Sequence, residues 1–160
     1  MRVTVLGVFM LAVFIQNTVL DSLQLFGVKP DLVLVLVIFS ALLRGPKEGA
    51  FWGFVAGFLL DIAAGSYFGL QALTLMTAGY LAGVAQTALY KDNPFVVALV
   101  TLVVGFLAGL ISYLLLLYLG IFISPGTALG RIALFEAVYD ALVALLLYRW
   151  FFRTYPRVSQ

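Results

Sequence analysis

Residues 94–122, PFVVALVTLVVGFLAGLISYLLLLYLGIF, run without one charged side chain. A helix needs about 20 apolar residues to cross a hydrocarbon core of about 30 Å, and this stretch is long enough to do so with tilt. The remainder of the chain is similar in kind: 64% of its residues are hydrophobic and 10% are charged. Soluble domains lie nearer roughly 45–50% apolar and about a quarter charged. Charge, Pro and Gly divide the sequence into six apolar segments, roughly 3–20, 30–43, 50–66, 69–89, 94–122 and 130–152. The second and third are short for a span, which bilayer thinning, snorkelling or oligomerisation can accommodate. No alternating pattern suggests the strands of a membrane barrel. The expected fold is therefore an all-α integral membrane protein, one domain over residues 1–160 with six transmembrane helices.

Composition also removes several kinds of chemistry. With no Cys and no His, disulfides, thiolate nucleophiles, Cys/His zinc sites and imidazole acid–base catalysis are excluded. The net charge of +2 comes with no basic cluster or stripe for nucleic acid. The start, MRVTVLGVFMLAVFIQ, resembles a signal peptide, but no small-residue cleavage site leads into a soluble domain, so it reads as a retained first span.

The distribution of Lys and Arg orients the six segments. With both termini cytoplasmic, Arg2, Arg44, Lys47, Lys91, Arg149, Arg153 and Arg157 fall at inner ends, and only Lys29 and Arg131 at outer ends. That is a positive-inside bias. It places the turns near Gly27, Gly65 and Pro125 outside, with Asp21, Asp31 and Asp61 toward the same face.

Helices in lipid gain little from hydrophobic attraction to one another, so small residues that let backbones approach become the contact surfaces. Gly49, Gly53, Gly57, Asp61 and Gly65 recur every fourth residue and form a slowly rotating stripe along one face. Ala133, Ala137 and Ala141 form a similar stripe in the sixth segment, with Glu136 and Asp140 on the adjoining face. A weak echo, GFVAG (53–57), GYLAG (79–83) and GFLAG (105–109), suits helix contact better than duplication.

Asp61 is the puzzle within that stripe. Counted from Ala50 it lies about 16 Å along a helix, where an ionised carboxylate facing lipid costs roughly 2.5–3.5 kcal/mol or more. Protonation, a hydrogen-bond donor at the outer side, or a wet cavity would relieve that cost. Lys29 and Arg131 are the outer-side cations, and Asn17, Gln16 and nearby backbone are further donors. The simplest reading is a helix-packing, turn-fixing aspartate. Pro30 and Asp31, in GVKPDL, read as a helix start, where Pro lacks an amide that would be unpaired anyway and the helix dipole favours a carboxylate.

In order, KPDLVLVLVIFSALLRG and then GAFWGFVAGFLLDIAAGSYFGLQAL resemble the MreD family, the small membrane subunit of the bacterial rod-shape (elongation) system. The resemblance rests on the basic-Pro-Asp start and on Gly-Phe-x-x-Gly-x-x-x-Asp followed by Gly65 and Gly69, over residues 27–85. Its motif residues map to Pro30, Asp31, Gly53, Gly57, Asp61, Gly65 and Gly69. The resemblance implies a non-enzymatic scaffold or regulator in the inner membrane, with no cofactor and no catalytic residue. Its implied partners are an MreC-like bitopic protein, a RodA-type glycosyltransferase, a class B penicillin-binding protein and MreB-type filaments, with homodimerisation left open. It also implies a six-helix bundle like the substrate-binding S-components of vitamin importers, an analogy of fold alone.

Rival readings assign the polar residues otherwise. An S-component-like small-molecule binder could draw on Asp31, Asp61, Gln71, Arg131 and Glu136, although the first segment offers only Ala12 toward the Ala-x-x-x-Ala docking motif of such subunits. A proton-coupled channel could use Asp61, Glu136 and Asp140. The intramembrane polar candidates are thus Asn17, Arg131, Glu136 and Asp140. The candidate helix-packing or partner-interface positions are Pro30, Asp31, Gly49, Gly53, Gly57, Asp61, Gly65, Gly69, Ala133, Ala137 and Ala141.

Overall fold

LVLVLVIFSALLR, residues 32–44, is apolar on every side, and a helix of that kind belongs inside a bundle rather than on its surface. The computed structural model of the chain describes residues 2–19, 22, 27–65, 67–88 and 93–154. Asp21, Lys91 and Arg157 lie outside the described residues, as do the side chains of Arg2, Arg131 and Arg153. Among the described residues there are six helices and no strand: α1 (Arg2–Thr18), α2 (Leu32–Arg44), α3 (Pro46–Ala64), α4 (Leu70–Ala88), α5 (Pro94–Tyr118) and α6 (Phe135–Thr154). A π-helical stretch, Thr127–Leu134, leads into α6. Apart from its ends and Leu36, α2 is buried throughout, and it touches all five other helices.

The surrounding helices turn one stripe inward and leave the rest exposed. On α1, Val5, Phe9, Ala12, Val13 and Gln16 are buried, at helical spacing, while Val3, Met10, Leu11 and Phe14 face out. Phe9 stacks on Trp52 of α3 with ring centroids 5.8 Å apart. On α5 the inward stripe is Val97, Val100, Thr101, Val104, Gly105 and Ala108. The Thr101 hydroxyl, fully buried, donates to the Val97 carbonyl at 2.8 Å, so it carries no unpaired donor into the core.

Among the described residues α5 is the helix long and apolar enough to cross a membrane. The expectation of six comparable spans is thus met unevenly. α1 and α2 are apolar but short. α3 opens on Pro46, Lys47 and Glu48 and holds Asp61, while α6 carries Glu136, Asp140, Arg149 and Arg153. A short α2 is tolerable because its start meets protein: the Val33 amide is bonded to Gln16 of α1 and the Leu34 amide to the helix's own N-cap, Asp31.

The most extensive helix pair is α3 with α4, and it is antiparallel. The ideal Cβ position at Gly49 falls on the Gly79 carbonyl, that at Gly53 on the Leu75 carbonyl and that at Gly57 on the Gln71 carbonyl. Moving four residues forward on α3 moves four back on α4, with Gly83 against Pro46 closing the series. Such contact between main chains needs glycine. α5 repeats the device more loosely, Gly105 against Ala137 of α6 and Gly109 against Ala133 of the π-helical stretch.

Candidate functional site

α4 begins without a side chain of its own to cap it. Gly69 occupies the position before Leu70, with φ at 95°, and accepts from Leu73 N at 3.0 Å through its carbonyl. The amides of the first turn would be orphaned inside the bundle. Asp61, in the last turn of α3 and 2% exposed, meets them. Its Oδ2 accepts from the Gly69 amide at 2.8 Å and the Ala72 amide at 3.2 Å, and its Oδ1 from the Gln71 amide at 3.0 Å. The positive end of α4 therefore faces the carboxylate, the arrangement a helix dipole favours.

These amides answer the question of Asp61's donor: it is nearby backbone, the N-terminus of α4. Gly65 has a different part from the rest of its stripe. It ends α3 in the left-handed conformation, φ 61°, and donates its amide to the Asp61 carbonyl at 3.1 Å. A Cβ there would meet nothing within 4 Å, so Gly65 serves the turn and not the helix contact. Gly69 is likewise open to a Cβ and constrained by its backbone angle.

α2 is capped by three elements at once. Asp31 is its N-cap, Oδ1 accepting from Leu34 N at 2.9 Å, so Pro30 precedes the cap rather than opening the helix. Gln16 of α1 accepts from Val33 N through Oε1 at 3.1 Å. Asp140 of α6 accepts from the Asp31 amide through Oδ1 at 2.7 Å. Asp140 is wholly buried, and its Oδ2 has no hydrogen-bond partner. Glu136, one turn earlier on α6, is half-buried. Loss of the Gln16 cap should cost about 1 kcal/mol. Gln16→Ala is accordingly expected to lower the melting temperature of the purified protein by about 2–4 °C; no shift would mean that the Val33 amide finds another acceptor.

All of these carboxylates gather at one end of the bundle. The N-termini of α2 and α4 flank a cavity of about 210 Å³ whose polar wall is formed by Asp31, Gln71, Thr74, Ser112 and Glu136. The Thr74 hydroxyl donates to the Leu70 carbonyl at 2.9 Å and accepts from the Ser112 hydroxyl across the α4–α5 gap at 3.1 Å. The opposite end carries Arg44 and Glu48, 3.8 Å apart, with Glu48 also accepting from the Trp52 indole at 3.1 Å. Among the described residues no group of three or more Asp or Glu is placed to hold a metal ion.

The sequence-derived candidates thus divide by place. Gly49, Gly53 and Gly57 meet α4, Ala133 and Ala137 meet α5, and Ala141 is buried on the same face of α6. Asp31, Asp140 and Glu136 lie together, whereas Asn17 is exposed on α1. The Arg131 side chain lies outside the described residues. Sequence reasoning missed Gln16 as a cap for α2, for which no local signal exists. It marked GYLAG (79–83) for helix contact without pairing Gly79 and Gly83 to the α3 stripe, a pairing the shared four-residue spacing carried.

A family profile for the rod shape-determining protein MreD matches residues 1–158. No curated protein and no solved structure matches the chain. MreD proteins are bacterial membrane proteins that act in rod-shape determination alongside other shape proteins. By a match over nearly its whole length, and with the capped Asp31 and Asp61 elements that first suggested the likeness, this chain belongs to the MreD family.

Proposed function

We propose that the protein is a non-enzymatic membrane scaffold of the rod-shape system, crossing the inner membrane several times with both termini in the cytoplasm. The MreD profile carries this reading. The distribution of basic residues supports the orientation: Arg44 and Lys47 lie at one end, and Lys29 lies at the other beside Asp31 and Glu136, a bias toward the end read as cytoplasmic. Its partner would be an MreC-like bitopic protein, within a complex that includes a RodA-type glycosyltransferase, a class B penicillin-binding protein and MreB-type filaments.

The glycine face of α3 is occupied by α4, so a partner's helix would meet an outward apolar surface instead. Candidates are the exposed flanks of α1 (Leu11, Phe14) and of α6 (Leu142, Leu146). The absence of native Cys makes single-Cys crosslinking direct. Cys placed in turn at Leu11, Phe14, Phe95, Leu142 and Leu146 should crosslink to a Cys series in the span of a co-expressed MreC-like protein from one contiguous face. Failure of the parent protein to co-purify with that partner, together with no crosslink from any of these positions, would overturn the scaffold reading.

A proton-coupled channel fits the site less well. Asp61 has both oxygens bonded to main-chain amides and Asp140 has one, which ties these groups to helix ends rather than to a path. An S-component-like bundle remains an analogy carried by the family resemblance, and it adds nothing to this reading.

A further inference from the structure

α5 meets the cavity with small side chains, Ala108 and Ser112, one turn apart. Protein interiors hold few voids larger than a water molecule, so a space of about 210 Å³ is an exception to close packing. Leu75 and Leu116 give it an aliphatic wall. Ile123 adds to that wall, tethered by its carbonyl, which accepts from the Tyr113 hydroxyl at 3.2 Å. The polar wall is only partly satisfied within the protein. Thr74 spends its proton on the Leu70 carbonyl, so Ser112 donates to Thr74 and keeps only acceptor capacity. Gln71 gives its backbone amide to Asp61, but its half-buried side-chain amide is bonded to none of the described groups. Glu136, also half-buried, accepts no hydrogen bond from them either.

We propose that this cavity binds a small neutral carboxamide. Gln71 offers two N–H donors and a carbonyl, Ser112 an acceptor, and Glu136 a carboxyl whose oxygen accepts whether or not it is protonated. A primary amide is the complement of that set, with two donors for the acceptors and a carbonyl for the Gln71 N–H groups. An ammonium has no acceptor to give Gln71, and a carboxylate has no donor to give Ser112 or Glu136. A cavity of about 150 Å³ in an engineered core admits benzene, so by proportion this one holds roughly eight or nine heavy atoms. That suits a compact apolar body carrying one amide, and it is too small for a lipid chain.

The test uses the full-length protein in phosphatidylcholine nanodiscs, titrated with benzamide, benzoate, benzylammonium and toluene, which share a ring and differ in the head group. Benzamide at ten times its Kd is expected to raise the Tm by about 3–6 °C, with no rise from the other three at the same concentration. Gln71→Leu keeps the backbone amide that Asp61 accepts from and should weaken benzamide binding at least tenfold. Ala108→Leu fills the space and should abolish the rise, each variant being read against its own unliganded Tm. If Ala108→Leu fails to fold, Gln71→Leu alone decides. No rise with benzamide, which would mean a cavity holding water only, would overturn the proposal. So would an equal rise with toluene or benzylammonium, or parental affinity in Gln71→Leu.

Discussion

Asp61→Ala should destabilise the folded bundle by about 3–5 kcal/mol, because three amides at the start of α4 lose their acceptor and each buried orphan costs about 1–3 kcal/mol. For a chain of this size that is a fall in Tm of roughly 10 °C or more. Gly69 has no side chain, and the Asp61 carbonyl is already bonded to Gly65 N, the Tyr67 carbonyl to Leu70 N and the Gly69 carbonyl to Leu73 N. Asp61→Asn keeps one carbonyl oxygen and should cost less, about 1–2 kcal/mol. Thermal unfolding of the purified proteins measures both. An Ala variant that melts within about 2 °C of the parent would show that Asp61 is not the cap of α4.

The second large effect concerns the α3–α4 contact. Gly53→Ala sets a Cβ against the Leu75 carbonyl, a backbone atom that can yield only if the two helices separate. Overpacking of this kind costs about 1–3 kcal/mol, and Gly53→Leu is expected to prevent the hairpin from forming at all. Gly7→Ala makes the matched control. Gly7 lies in α1 with nothing within 4 Å of an added Cβ, and the exchange should be neutral or stabilising by about 0.5–1 kcal/mol. Folded yield and Tm in detergent separate the two sites. Equal behaviour of Gly53→Ala and Gly7→Ala would contradict the close main-chain contact.

Much of this architecture was legible in local pattern. The helices follow the apolar segments because charge and Pro/Gly punctuation fall where they begin and end: Asn93 and Pro94 open α5, and Gly120, φ 82°, stands just past its end. The spacing of Gly49, Gly53 and Gly57 marked a contact face, since little but another backbone needs glycine every fourth residue. Spacing could not separate Gly65 from that set. It continues the interval, yet its glycine is required by a left-handed turn that exists only because α3 stops there.

The capping network was legible only where it is local. Asp31 precedes its own helix, so its bond to Leu34 follows from sequence. Asp61 reaches amides that begin eight residues ahead, within reach of inference once α4 is seen to lack a capping side chain. Asp140 binds the amide of Asp31 across a separation of 109 residues, and Gln16 reaches Val33 from a different helix. Those bonds depend on how α1 and α6 pack around α2, which no local pattern specifies.

The same geometry recasts the carboxylate of the glycine stripe. Asp61 needs neither a cation nor a proton path, because the end of a neighbouring helix supplies its donors. In this account its role in cell shape is indirect, through the integrity of the bundle.

Cell shape in a rod-shaped bacterium depleted of its own MreD protein, and supplied with this chain together with the proposed MreC-like partner, tests that account most directly. The parent chain and Asp61→Asn are both expected to restore rods, whereas Asp61→Ala, recovered at reduced folded level, should leave the cells round. Round cells carrying Asp61→Asn protein that is folded and present at the parental level would contradict it, since the charge or proton of Asp61 would then be needed in its own right.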